Sequence, residues 1–162
     1  MNKSHLKAGH LKRIKSLALL SGPQLETFLD YVEVVECPHS GNIFKEGQPA
    51  DSMYLILDGE LRVYSKQRNG EVFFLRLLHS GDTFGEVALL TEGMRSASVE
   101  AVKQSLLLKI SATSLKKLMA DEPALAAQFF YHLCRALGRQ LSDVTTRLRA
   151  QRDFATPFSF IQ

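Results

Sequence analysis

The sequence has no long apolar run. Apolar stretches such as Ser105–Ile110 and its neighbours fall far below the ~18 residues a membrane-spanning helix requires. No apolar stretch forms at the start either, because Lys3, Lys7, Lys12, Arg13 and Lys15 interrupt it, which excludes the apolar segment of a secretory signal. The expectation is a cytoplasmic chain that does not contact a membrane through a span. Cysteine is scarce. Cys37 and Cys134 stand 97 positions apart, with no CxxC and no Cys–His pair at metal-ligand spacing. Two reduced thiols are expected, Cys134 as a small buried hydrophobe of a helix. The histidines, at 5, 10, 39, 79 and 132, are never paired as the ligands of a metal-binding barrel such as a cupin would be, and His39 and His79 read as turn residues. Neither a Gly-x-Ser-x-Gly elbow nor a P-loop nor a Ser/His/Asp arrangement is present, so no enzyme, metal or cofactor is expected.

Acidic residues are missing from the first 15 positions. The five cations there outweigh the formal net charge of +3, leaving −2 for the other 147 residues. This basic arm either touches nucleic acid or an anionic surface, or is the solvated start of a helix. What remains is ordinary for a globular chain: 162 residues, 45% hydrophobic and 23% charged, the size of one domain with a core of its own.

Hydrophobic period divides the chain. In residues 4–36, Leu6, Ile14, Leu17, Leu20, Leu25, Phe28, Leu29 and Val32 recur at helical spacing, and Ser21-Gly22-Pro23 interrupts them. Ser21 suits a cap and Pro23 a first turn, which predicts an N-terminal helical hairpin over 1–36. Residues 37–110 switch to short apolar runs punctuated by glycine. Met53–Tyr64 reads as two strands around Asp58-Gly59, a hairpin signal, and Val72–Leu78, Ser98–Val102 and Leu106–Ile110 read as three more. Turn signals about every ten residues predict a sandwich or barrel. Residues 111–152 return to helix, with Ser111 and Ser114 as capping candidates and the longest helix beginning at Asp121-Glu122-Pro123. Leu133, Leu137, Leu141, Val144 and Leu148 along it form either a coiled-coil seam or a face packed on the chain's own barrel. The tail 153–162 is apolar at Phe154, Phe158, Phe160 and Ile161. It is a lid, a partner-binding segment, or packed on the barrel.

Candidate site residues cluster in Gly81–Val102. The chain turns at Gly81-Asp82 and starts a short helix near Gly85, where unpaired amides and the helix dipole favour an anion. Arg95, a forked cation suited to phosphate, lies nine residues past Glu86. A carboxylate beside an anion site makes sense where a sugar hydroxyl adjoins a phosphate. Glu86, Arg95 and free amides together describe a ribose-phosphate.

Phe84-Gly85-Glu86-Val87-Ala88-Leu89-Leu90, followed by Arg95-Ser96-Ala97-Ser98-Val99, resembles the phosphate-binding cassette of the cyclic nucleotide-binding domains. These occur in catabolite-activator-type regulators, kinase regulatory subunits and gated channels. Gly41, Gly47, Asp51, Met53–Ile56 and Asp58–Leu61 extend the resemblance over residues 10–150. It implies a mainly β fold with flanking helices: a jelly-roll-like eight-stranded β-barrel, an N-terminal helical hairpin and a long C-terminal helix serving as lid and dimer seam. It implies that Glu86 holds the ribose 2′-OH and Arg95 the cyclic phosphate. The Val87 and Ala88 amides would donate to phosphate oxygens, and Ser96 would add a hydroxyl near phosphate or base. Val63 and Leu75 would line the base pocket, and Thr145-Thr146 would read adenine, so cyclic AMP is expected over cyclic GMP. The function implied is a ligand-driven switch, without catalysis, read by a separate partner and carried by a homodimer.

The family's regulators follow the long helix with a helix-turn-helix, and Arg152–Gln162 is too short for one. The expectation is a separate reader, or a chain that is a piece of a longer protein, such as a truncated transcription regulator. Arg135, Arg139, Arg147, Arg149 and Arg152 suit phosphate contacts, but sequence-specific DNA binding needs a reading element and none is evident. The rival function is a barrel that no longer binds ligand and serves as an interaction module.

Overall fold

A computed structural model describes residues 6, 8–67 and 69–155. In chain order the elements are α1 (Ala8–Leu11), α2 (Gly22–Leu29), β1 (Glu33–Cys37), β2 (Asn42–Phe44), β3 (Ser52–Asp58), β4 (Glu60–Lys66), β5 (Val72–His79), β6 (Thr83–Phe84), α3 (Glu86–Leu90), β7 (Ser98–Ala101), β8 (Ser105–Ser111), α4 (Ala112–Asp121) and α5 (Pro123–Ala155). The strands form two four-stranded sheets, ordered β1-β8-β3-β6 and β2-β7-β4-β5, with antiparallel pairing throughout.

Strand alternation explains why two sheets and a helical layer share one chain. Along β3, Met53, Leu55 and Leu57 join a cluster with Leu25, Phe28, Leu118 and Phe129 of the helices. Tyr54 and Ile56 point the other way and join Leu61, Val63, Leu78, Phe84 and Val99 between the sheets. A strand buried on both faces reads as a continuous apolar run because its period of two feeds two cores at once.

Three expectations need correction. The sheets do not close into a barrel: no strand of one pairs with a strand of the other among the described residues. Closure needs a continuous ladder around the edges, and the edges include the two-residue β6 and the three-residue β2. Residues 33–36 are strand rather than helix, because Val34 and Val35 pair with Leu108 and Leu107 of β8. The helical hairpin is also not found as expected. α1 is a single turn of four residues, and turns and bends over 12–20 separate it from α2. The start of α2 does follow the sequence, since Ser21 accepts from the Gln24 amide in a capping box and proline occupies the first turn.

The Asp58-Gly59 hairpin joins β3 to β4, and the strands read at Val72–Leu78, Ser98–Val102 and Leu106–Ile110 correspond to β5, β7 and β8. Ser111 caps α4 by accepting from the Ser114 amide. α5 runs 33 residues to Ala155. Leu133 is buried and Leu137 packs against the same core, whereas Leu141, Val144 and Leu148 are exposed. The start of the leucine row therefore packs on the domain itself and the end does not. No described helix is long and apolar enough to cross a membrane. Residues 1–5 and 7 of the basic arm, and 156–162 of the apolar tail, lie outside the described residues.

Candidate functional site

The segment after β6 leaves one sheet and enters the other at β7, crossing the open edge between them. Gly85 makes the turn with φ at 78°, a left-handed conformation that a residue with a Cβ adopts at a cost. A Cβ here would also lie 2.7 Å from Arg95 Nη1 and 3.3 Å from the Phe44 ring. Glycine is required on both counts. α3 begins at the next residue without a side-chain cap, so its first amides have no intrahelical acceptor.

Glu86 occupies the first turn of α3, where its charge complements the dipole, yet it is only 3% exposed. Burial raises its carboxyl pKa above the usual carboxylate range; a hydrogen bond from its own backbone and the charges of Arg76 and Arg95 pull it partly back. Its Oε2 has no hydrogen-bond partner.

Arg95 reaches the same place from the far side of α3. Its backbone is locked to the 47–48 turn, its amide donating to the Gln48 carbonyl at 2.8 Å and its carbonyl accepting from Gly47 at 2.8 Å. The guanidinium, also 3% exposed by residue, donates to the Gly85 carbonyl at 3.0 Å, the Ser52 carbonyl at 2.6 Å and Ser52 Oγ at 3.3 Å. Burial lowers its pKa. The nearest recorded carboxylate, Asp51, is 3.7 Å away with an exposed side chain. Arg95 Nε, like Glu86 Oε2, has no partner, and these two are the buried unpaired side-chain atoms among the described residues. Leaving such groups unpaired costs about 1–3 kcal/mol each. A donor and an acceptor held at that cost in one loop fit a ligand that brings both an anion and a hydroxyl.

Two cavities meet here. The smaller, about 110 Å³, is lined by Phe44, Val63, Phe84–Ala88, Arg95, Ser96 and others. The larger, about 500 Å³, shares Arg76 and Glu86 as walls and is closed on its far side by α5 residues including Arg135, Arg139, Gln140 and Asp143. Of the residues singled out from sequence, Phe84, Gly85, Glu86, Val87, Ala88, Arg95, Ser96 and Val63 surround the smaller cavity. Leu75 is exposed on β5 and lines neither of these two; its neighbours Arg76 and Leu77 do. Thr145 and Thr146 also lie outside both walls, and their hydroxyls donate to the carbonyls of Leu141 at 2.8 Å and Ser142 at 3.0 Å on their own helix. Sequence reasoning missed Phe44 and Arg76. Arg76 left a signal, the lone charge in VFFLRLL; Phe44, on a three-residue strand, left none.

Comparison with known proteins gives the family. The cyclic nucleotide-binding domain profile matches residues 35–122, more than half of the chain, and the chain belongs to that family. It is 30% identical to the cAMP-activated global transcriptional regulator CRP of Pasteurella multocida, over 78% of this chain and 59% of that protein. It is 33% identical to a putative potassium channel protein of Rhodopseudomonas palustris, over 93% of this chain and 32% of that protein. The crystal structure of the Thermus thermophilus catabolite activator protein superposes with a TM-score of 0.74 at 28% identity, covering 85% of this chain and 63% of that one. A cyclic nucleotide-binding domain from Methylobacillus flagellatus gives 0.78 at 23% identity, covering 94% and 84%. The chain spans about half the length of the regulators it matches.

Proposed function

We propose that this domain binds a cyclic nucleotide, cyclic AMP in preference to cyclic GMP, and passes the bound state to a separate partner without catalysis. The observation that carries the reading is the pair of buried, unpaired atoms, Arg95 Nε and Glu86 Oε2, on two residues that line one cavity. Arg95 takes the cyclic phosphate and Glu86 accepts from the ribose 2′-OH. The Val87 and Ala88 amides, at the start of α3, donate to phosphate oxygens, and the exposed Ser96 adds a hydroxyl. Val63 supplies apolar wall, with Leu75 beyond it on β5.

The base then occupies the larger cavity. Thr145 and Thr146 remain the proposed adenine readers if α5 moves over the ligand. A second reading is favoured by where the side chains now stand. Gln140 is half-buried in the cavity wall, and a carboxamide donates and accepts along the adenine edge.

The means of signalling is a shift of the cassette against its neighbours. The turn before it is tied to the N-terminal segment by Lys15–Asp82 at 2.6 Å and the buried Ser16–Thr83 contact at 3.1 Å, while α5 walls the larger cavity. The exposed Leu141, Val144 and Leu148 support pairing of two copies through the end of α5. Displacement of a fluorescent cyclic nucleotide by cyclic AMP, cyclic GMP and 2′-deoxy cyclic AMP tests the binding. Cyclic AMP should displace best and the deoxy ligand less well; equal displacement by ribose and deoxyribose ligands removes the Glu86 role. Sedimentation with and without ligand tests the pairing, and a monomer in both states at high concentration refutes it.

A further inference from the structure

Carbonyls hold the edge of the Arg95 guanidinium, but they do not cover its face. The face is covered by Phe44, whose ring centroid lies 4.0 Å from Arg95 Cζ. Phe44 is in turn fixed by two other rings, Tyr54 at 6.0 Å and Phe84 at 5.8 Å between centroids, and Tyr54 stacks on Phe84 at 5.2 Å. The cluster draws on β2, β3 and β6, so it spans both sheets. Its lower neighbour, Gly85, has no room for a Cβ between Arg95 and Phe44. A guanidinium that has lost its water and has no close buried carboxylate gains from a π face more than an exposed one does.

We infer that Phe44 is a positioning residue for the anion site, its ring a cation–π platform that fixes the plane of the Arg95 guanidinium, whose Nε–H has no partner within the chain, at the wall of the cavity. This rests on the proposed phosphate role of Arg95 and adds the group that aims it. An aliphatic side chain of similar bulk fills the space without the π face, so packing and platform can be separated.

The test compares Phe44→Leu and Phe44→Tyr with the unaltered protein, using cyclic AMP titration and the ¹H–¹⁵N resonance of Arg95 Nε in the ligand-free state. Phe44→Leu should bind cyclic AMP about tenfold more weakly and lose the upfield ring-current shift of Arg95 Nε–H. Phe44→Tyr should keep both. Fluorinated phenylalanines at position 44 preserve shape while weakening the π face, so affinity should fall stepwise with fluorination even if Phe44→Leu does not fold. Unchanged affinity across that series, Phe44→Tyr binding as weakly as Phe44→Leu, or an unshifted Arg95 resonance in the unaltered protein overturns the inference. If the unaltered protein binds no cyclic nucleotide, the proposed function fails instead, and the Arg95 resonance alone decides the platform.

Discussion

At the cassette end of the cavity system, Glu86 and Arg95 are buried, and main-chain carbonyls of Ser52 and Gly85 fix the cation. At the α5 end, Arg135 and Arg139 are exposed side chains on a helix whose later apolar residues Leu141, Val144 and Leu148 are exposed too. The first end is built before ligand arrives, and its cost is carried as two unpaired buried atoms. The second is more exposed. Under the proposed function the difference divides the tasks of recognition: the buried, preorganised end would contribute most of the affinity, and the exposed end would separate related bases by small differences. Val72, Phe73, Phe74, Leu75 and Leu77 of β5 are exposed apolar residues, and of them Leu77 lines the cavity that α5 walls. They form the edge of their sheet, and an apolar edge strand is the kind of surface a partner covers.

The comparison breaks most directly at Arg95. Arg95→Ala should lose about 2–4 kcal/mol of binding, read by displacement titration, because it removes the buried cation and its unpaired donor from the proposed anion position. If Arg95→Ala binds within a factor of about two, the affinity does not reside in the cassette. Gly85→Ala comes next. The left-handed backbone and the crowding against Arg95 and Phe44 should cost about 1–2 kcal/mol of stability, with weaker binding, seen as a lower melting temperature.

Glu86→Gln sharpens the account by separating stability from function. Binding of cyclic AMP should weaken by about tenfold, with a smaller loss for 2′-deoxy cyclic AMP. The ligand-free protein should become more stable, melting about 2–4 °C higher per kcal/mol gained. The sign follows from the raised pKa: the folded state binds the Glu86 proton more tightly than the unfolded state. Its contribution to stability is therefore full below the unfolded-state carboxyl pKa and is lost as pH rises from there through the raised, folded-state pKa. Glu86→Gln should remove that part of the slope in a melting series from acid to neutral pH; an unchanged slope shows that Glu86 is not desolvated as described.

The smallest effect belongs to the open end. Gln140→Ala should reduce the preference for cyclic AMP over cyclic GMP by about 1 kcal/mol while leaving the deoxy-ribose discrimination intact. Thr145→Val and Thr146→Val should change the preference only if α5 advances over the ligand. Competition titration distinguishes the two, since a preference unaffected by all three substitutions places base reading elsewhere.

Sequence made the cassette legible because its chemistry is local: glycine, carboxylate and arginine lie within eleven residues, and a turn and a short helix join them. The Asp58-Gly59 hairpin and β5, β7 and β8 were legible for the same reason, each carrying its own turn signal or apolar run. β1 was not, since Val34 and Val35 continue the apolar spacing of the preceding helix and become a strand only by pairing with residues over 70 positions away. β2 and β6 were too short to show a period. Phe44 acquires its meaning from Arg95, 51 positions later, which spacing cannot convey. The base end was hardest. Thr145 and Thr146 sit two and three residues past Asp143, which walls the cavity, and a helix's rotation and reach are set by packing that sequence shows only as a stripe.

The central claim is that Arg95 and Glu86 together form a prebuilt ribose-phosphate site. Calorimetric titration of the unaltered protein with cyclic AMP, repeated with Arg95→Ala, tests it most directly. The account predicts saturable binding of one nucleotide per chain that is lost with Arg95→Ala while the variant still melts cooperatively. Absence of binding by cyclic AMP and cyclic GMP in the unaltered protein, or equal binding with Arg95→Ala, would contradict it.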